Sequence, residues 1–348
     1  MLHRARKPRW AHYLLNEADE PLGTLDGVTG GSITVQSLTR LGGHGTLELD
    51  DRGQVIDWMK HRVQSVYDPG VPGVDPWPVA TMRLSSPREQ HDGFVTGYSV
   101  GLLPKTVVID EDAFPSVFSL KKGSNIVDAV VSVIRSTGEE RIAATPSDAA
   151  LSNPQSWDAG VSKLTIVNEL LEAAGYWSLW ADGGGQFRVE PYTEPGERPL
   201  AFSFVEGDAS IHSPEWERDQ DMSSVPNRFI VRGQGDDEKP PLFGVAENTS
   251  EDSPYSYQAR GGKWITRTEE GVEGATQAVF TQLAQRRLRD AMSPVEHVKA
   301  KHELVPLDPN DAIWFESDGY AGRLTVQNMT IGFALDAWVD AEWRRTDG

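Results

Sequence analysis

Apolar and polar residues alternate through much of the first hundred positions. Over residues 32–39, Ile33 and Val35 alternate with polar neighbours, and Gly42 and Gly43 break the run. Similar stretches cover 46–49, 61–67, 79–84 and 94–103, and a Pro/Gly-rich connection fills 68–78. A period of two bounded by turn residues predicts antiparallel strands in a sheet or small barrel. The β-branched triplet Val107, Val108 and Ile109 extends the strand reading past Pro104.

The period lengthens beyond residue 110. Ile126, Val127, Val130, Val131 and Ile134 recur at helical spacing, with Ser124 as N-cap and Gly138 as terminator. After a polar linker over 144–160, Leu164, Val167, Leu170, Leu171 and Ala174 form a second apolar face that Gly175 ends. Trp177, Leu179, Phe187 and Val189 then alternate on either side of 182–185, which predicts a hairpin. Strands follow at 201–205 and 228–232. Residues 233–256 carry Asp236, Asp237, Glu238, Glu247, Glu251 and Asp252 and read as an exposed loop. A third helix over 273–291 presents Val279, Phe280, Leu283, Ala284 and Leu288. Glu269, Glu270 and Glu273 lead it, Arg286, Arg287 and Arg289 close it as the helix dipole favours, and Ser293-Pro294 stops it. Strands return at 295–304, 312–316 and 323–336, the last with Met329, Ile331, Phe333 and Leu335 on one face, and 337–343 ends the series. TVQSLT at 34–39 and TVQNMT at 325–330 agree at four of six positions, too short a match to establish a repeat. The fold class is therefore mainly β with α+β insertions.

Composition narrows the function. The net charge is −19, from 33 basic and 52 acidic side chains in 348 residues, so the surface repels nucleic acid and anionic membranes. Arg4, Arg6, Lys7 and Arg9 form a basic arm over 1–9, able either to dock on an acidic surface or to fray. The apolar run after it, residues 10–15, is too short for a signal peptide, and none approaches the ~20 apolar residues of a membrane span. With no cysteine, thiol catalysis, disulfides and Cys-type zinc sites are excluded.

Candidate chemistry is sparse. GYSVG at 97–101 matches G-x-S-x-G, with Ser99 in the nucleophile position. A nucleophile elbow needs a helix directly after the serine, whereas Pro104 and β-branched residues follow here. Gly183, Gly184 and Gly185 lack the Lys and the following helix of a phosphate loop. His297 and His302 lie five apart, on opposite faces of a strand. Asp308 to Asp311 lacks the Gly and Glu of a calcium loop and reads as an Asx-capped turn. Asp110, Glu111 and Asp112 read as a solvated loop. We assign no catalytic, metal or cofactor residue, and expect no enzyme.

The layout resembles the tail hub, or baseplate hub, proteins of tailed bacteriophages, known as minor tail proteins in long-tailed phages of actinobacteria. The segments carrying the resemblance are LTIVNELLEAAGYWSLWADGGGQFRVEPY (164–192), VPNRFIVRG (225–233), SPYSYQARGGKWI (253–265), AQRRLRDAMSPVEHVKAKHELVPLDPNDAIWF (284–315) and GYAGRLTVQNMTIGFALDAWV (319–339). The resemblance implies two tube-type antiparallel β-barrel domains, at 10–110 and, split, at 196–235 and 294–345. An α/β domain (111–195) and an acidic loop and helix insertion (236–293) would decorate them. It implies a homotrimer at the virion's tail tip, with no cofactor and no membrane insertion. Its partners would be the distal tail or tail tube protein, the tape measure protein and tail-tip fibre or spike proteins. Genome DNA would pass through an acid-lined conduit without sequence-specific binding. Two other classes stay open on sequence: a serine or carboxylate hydrolase, and a host-glycan-binding module using tryptophans that line a groove.

Overall fold

The computed structural model describes residues 2–345 apart from 5, 38, 92, 95, 221, 234–241, 273–276 and 293–295. Strand residues make up 44% and helix 13%, so the protein is mainly β, as the alternation predicts. The chain divides into two compact units, Met1–Trp216 with Lys299–Asp347, and Glu217–Val298.

Seven strands open the larger unit: β1 (Arg9–Leu15), β2 (Pro21–Thr24), β3 (Val28–Gln36), β4 (Gly43–Asp50), β5 (Arg62–Asp68), β6 (Trp77–His91) and β7 (Thr96–Pro104). They pair antiparallel in the order β2-β1-β5-β6-β7-β4-β3. Their inward positions (Ile33, Leu47, Val63, Met82, Val100 and Leu102) share one buried core. β6 is longer than its predicted span. It slips register between Ser85 and Arg88 against β7, with Ser86 at φ 48°, and a bulge of this kind bends the strand.

The next stretch is α/β: α1 (Val107–Glu111), β8 (Phe118–Leu120), α2 (Ile126–Arg135), β9 (Ile142–Ala144), β10 (Gln155–Trp157), α3 (Lys163–Ala173), β11 (Trp180–Ala181) and β12 (Phe187–Val189). The two apolar helix faces bury together with Phe187 and Val189. Three local expectations need correction. Val107, Val108 and Ile109 form a short helix, not a strand, because Ile109 and Asp110 bond back to Thr106. The N-cap of α2 is Asn125, whose side chain accepts from Asp128 N at 3.0 Å, not Ser124. Residues 144–160 are not all linker, since β10 pairs with β8.

The second half of the larger unit contains β13 (Leu200–Phe204) and the start of β14 (His212–Gln220), along which the chain leaves for the smaller unit. The smaller unit holds β15 (Arg228–Gly233), β16 (Phe243–Glu247), β17 (Thr266–Val272) and α4 (Gln277–Met292). Phe280, Ala284 and Leu288 of α4 pack on Phe229, Val231 and Ala246. Gly244 has no room for a side chain, because a Cβ there would meet Phe280 O at 2.0 Å. Several expectations fail in this unit. Phe243 to Glu247 is a strand within the predicted loop, Glu269 and Glu270 belong to β17 instead of leading the helix, and Val279 is exposed. The predicted acids Asp236, Asp237, Glu238 and Glu273 and the Ser293-Pro294 stop lie outside the described residues.

The chain returns along β18 (Glu296–His302) and finishes with β19 (Ala312–Ser317), β20 (Tyr320–Gly332) and β21 (Val339–Arg345). β20 holds the larger unit together. On one side it pairs with β21. On the other it pairs first with β19, over 320–325, and then with β3, over 328–332. One sheet therefore runs from β2 through β3 and β20 to β21, and on to β18 and β14. The matched hexamers meet at this junction. Thr34 faces Thr330 with hydroxyls 3.0 Å apart, Gln36 faces Asn328, and Ser37 N donates to Gln327 O at 2.8 Å. Met329, Ile331 and Phe333 are buried as expected, but Leu335 is exposed because the strand has ended.

Candidate functional site

Ser99 sits in the middle of β7, between Glu48 of β4 and Arg88 of β6. Its hydroxyl donates to Glu48 Oε1 at 2.8 Å. Among the described residues its recorded side-chain partner is Glu48 and not a histidine, and α1 begins only after Pro104, so the strand-to-helix elbow is absent. Gly101 permits close approach instead, since a Cβ there would stand 3.3 Å from Ser85 O.

The other sequence candidates are structural as well. Asp110, Glu111 and Asp112 are not a solvated loop; they pair with Arg40, with Arg83 at 2.6 Å and with Lys163 at 2.5 Å. His302 is fully buried and its Nδ1–H donates to Glu303 O at 2.8 Å, while His297 lies on the other face of β18. Asp311 closes the 308–311 turn by accepting from Asp308 N at 2.8 Å. No group of three His, Asp or Glu able to hold a metal occurs among the described residues. The basic arm is docked at Arg6, whose buried guanidinium meets Glu303 at 2.6 Å and Leu304 O.

Two arrangements escape a linear reading. The first is a buried ion cluster. Asp19 follows β1, Arg62 begins β5, Lys105 follows β7, and Glu139 lies just beyond α2. Arg62 bonds Asp19 at 2.6 Å and also Glu139; Lys105 bonds Asp19 at 2.5 Å, Glu139 at 2.9 Å and Gly185 O at 2.7 Å. Two acids and two bases thus neutralise one another where the first β half meets the α/β part. Although burial alone would lower it, the two carboxylates hold the Arg62 guanidinium above its ordinary pKa. The triple glycine completes the joint. Thr81 donates to Gly183 O at 3.0 Å, and a Cβ on Gly183 would meet Pro78 O at 2.2 Å, so only a bare backbone lets the hairpin lie on β6.

The second arrangement is a groove of about 800 Å³ between the first β half, the hairpin and residues 304–310. Its walls include Trp77, Trp177, Trp180, Arg141, Asp182 and Asp308. Burial, then the neighbouring Asp311 and Asp182, push the Asp308 carboxyl up to about 7. The Trp177 ring lies under the Arg198 guanidinium at 4.5 Å.

No family model and no curated protein sequence matches the chain. Solved structures do. The tail protein from Neisseria meningitidis superposes with a TM-score of 0.66 at 11% identity, covering 97% of this chain and 96% of its own. The fold is a phage tail protein fold. The 43 kDa tail protein of prophage MuSo2 from Shewanella oneidensis gives 0.64 at 12% identity, with 97% and 98% covered. A type VI secretion component of E. coli gives 0.51 at 10% identity, with 92% and 74% covered.

Proposed function

We propose that the protein is a structural hub of a phage tail tip, acting as a homotrimer and without enzymatic activity. The observation that carries this reading is β20. By pairing with β19, β21 and β3, it fuses two β halves into one continuous wall. A chain offering two such halves supplies two wall segments, and three copies supply six, enough to match a sixfold tube on one face and a threefold tip on the other. Repeated copies of one chain usually close into a symmetric assembly, and a head-to-tail contact closes into a ring when its rotation permits. In this reading the tube-type domains are 10–110 and 196–235 with 294–345. The hub joins the tail tube or distal tail protein to the fibre or spike proteins, and it contacts the tape measure protein. The net charge of −19 supports a conduit whose acidic wall DNA slides past.

Light scattering of the protein alone, and mixed with its tail tube or distal tail protein, tests the reading. A particle of three times 38.3 kDa, seen as rings by electron microscopy, is expected. A monomer that persists in the mixture, or a trimer whose channel is neutral or basic, overturns it.

A further inference from the structure

The groove has the chemistry of a sugar site. Its volume of about 800 Å³ falls within the roughly 300–1,000 Å³ typical of small-ligand pockets. Its walls combine two kinds of group. Trp77 and Trp180 are half-buried, so each keeps part of an indole surface open, and Trp77 is braced edge-on by Tyr67 at 5.2 Å. Beside them stand Asp182, Asp308 and Arg141, whose polar atoms can donate to or accept from a ring of hydroxyls. Flat apolar faces set among fixed polar groups suit a pyranose, which has an apolar C–H face and a hydroxylated rim.

The site is also preorganised. Asp182 is fixed by accepting from Gln186 N at 2.9 Å, and the hairpin carrying it is anchored by Lys105 through Gly185 and by Thr81 through Gly183. A rigid wall reduces the ordering cost of binding. Charge restricts the occupant. Arg40, Lys105 and Arg141 line the groove with Asp182 and Asp308, but each of these cations is already engaged. Arg40 pairs with Asp110, Lys105 with Asp19 and Glu139, and Arg141 is turned towards Asp19 at 3.7 Å. The chain as a whole is acidic, so a polyanion is disfavoured.

We propose that this groove binds an uncharged oligosaccharide, with Trp180 and Trp77 stacking on sugar rings and Asp182 and Asp308 bonding their hydroxyls. The site would give the protein a ligand-binding role separate from assembly, and it does not depend on the hub reading.

Calorimetric titration of the full chain with chitotetraose and with cellotetraose tests the proposal. Saturable binding of at least one sugar is expected at up to millimolar concentration, weakened at least tenfold in Trp180→Ala and about fivefold in Asp308→Ala. Thermal melts show whether each variant is folded, and Trp180→Phe restores part of the affinity. Binding of neither sugar overturns the proposal. So does sugar binding that both alanine variants leave unchanged, or tighter binding of heparin than of either neutral sugar.

Discussion

The larger unit buries polar groups in two places and solves the problem differently in each. Where the first β half meets the α/β part, Asp19, Arg62, Lys105 and Glu139 are all buried, all charged and all paired. In the second half, His302 lies among rings instead. Phe204 is 4.7 Å from it and Trp343 stacks over it at 5.6 Å, while its Nε2 has no hydrogen-bond partner. The first region keeps its charges and satisfies them; the second keeps its titratable group neutral. A charge cluster fixes which elements meet, because each member needs all of its partners. A neutral histidine in an aromatic core fixes less, but ties stability to pH.

Breaking the ion cluster should have the largest effect. Lys105→Met leaves Asp19 and Glu139 with one cation fewer in a dry site and removes the donor to Gly185 O. It should cost about 3–5 kcal/mol, measured by urea unfolding. Arg62→Met should behave alike. A loss under 1 kcal/mol would mean that water reaches the cluster and that the contrast between the two regions is false.

The aromatic side answers to acid. Burial holds His302 down to about 4, against an ordinary value of 6.5. The unfolded chain therefore takes up a proton below pH 6.5 that the folded chain refuses until about pH 4. Stability is full above 6.5 and is lost as the pH falls through this window, by about 3 kcal/mol for one such histidine. His12, likewise held to about 4 by burial, adds a second share from the first half. Asp308 titrates in the opposite sense over the same range, so the test is made in Asp308→Asn. There urea midpoints should fall steadily from pH 7 to 4.5, and adding His302→Phe should remove about half the slope. An unchanged slope would remove the distinction drawn for the second half.

Little of this contrast was legible in the sequence, whereas many of the strand positions were. Period-two patterning found β3, β5, β7, β15, β19 and β21, because one face of each meets a core. It missed β1 and β2, the outer half of β6 and all of β14 and β17; the described side chains of the last three are largely exposed and leave no alternation to read. Val107 to Ile109 misled because β-branching is a weak preference that one hydrogen-bonded turn overrides. The ion cluster draws on residues as distant as 19 and 139, and nothing local marks Lys105 as buried. The TVQ echo was visible but uninterpretable until pairing showed Thr34 opposite Thr330.

The groove offers an intermediate test, since Asp308 is a carboxyl treated like the histidine, kept neutral by burial. Its pKa of about 7 when folded exceeds the ordinary 3.8, so the folded chain holds a proton that the unfolded chain releases. Stability is therefore lost as the pH rises from about 4 to 7. Asp308→Asn, which needs no proton, should be neutral at pH 4 and stabilising by about 4 kcal/mol at pH 8. Equal effects at both values would place Asp308 with the paired acids of the first region.

The smallest effect should come from the residue whose motif is most conspicuous. Ser99 donates one hydrogen bond to Glu48 across a half-buried ladder, where a single bond is worth about 0.5–1.5 kcal/mol net and Glu48 can turn to water once the hydroxyl is gone. Ser99→Ala should therefore cost at most about 1 kcal/mol, far below Lys105→Met, and should leave oligomeric state unchanged. A chromogenic ester should be turned over no faster by the protein than by buffer, in wild type and variant alike. The reason is positional. A nucleophile must stand free at a strand end with a base beside it, and Ser99 is held within the strand by ladders on both sides. Ester hydrolysis that disappears in Ser99→Ala would overturn both this prediction and the non-enzymatic hub.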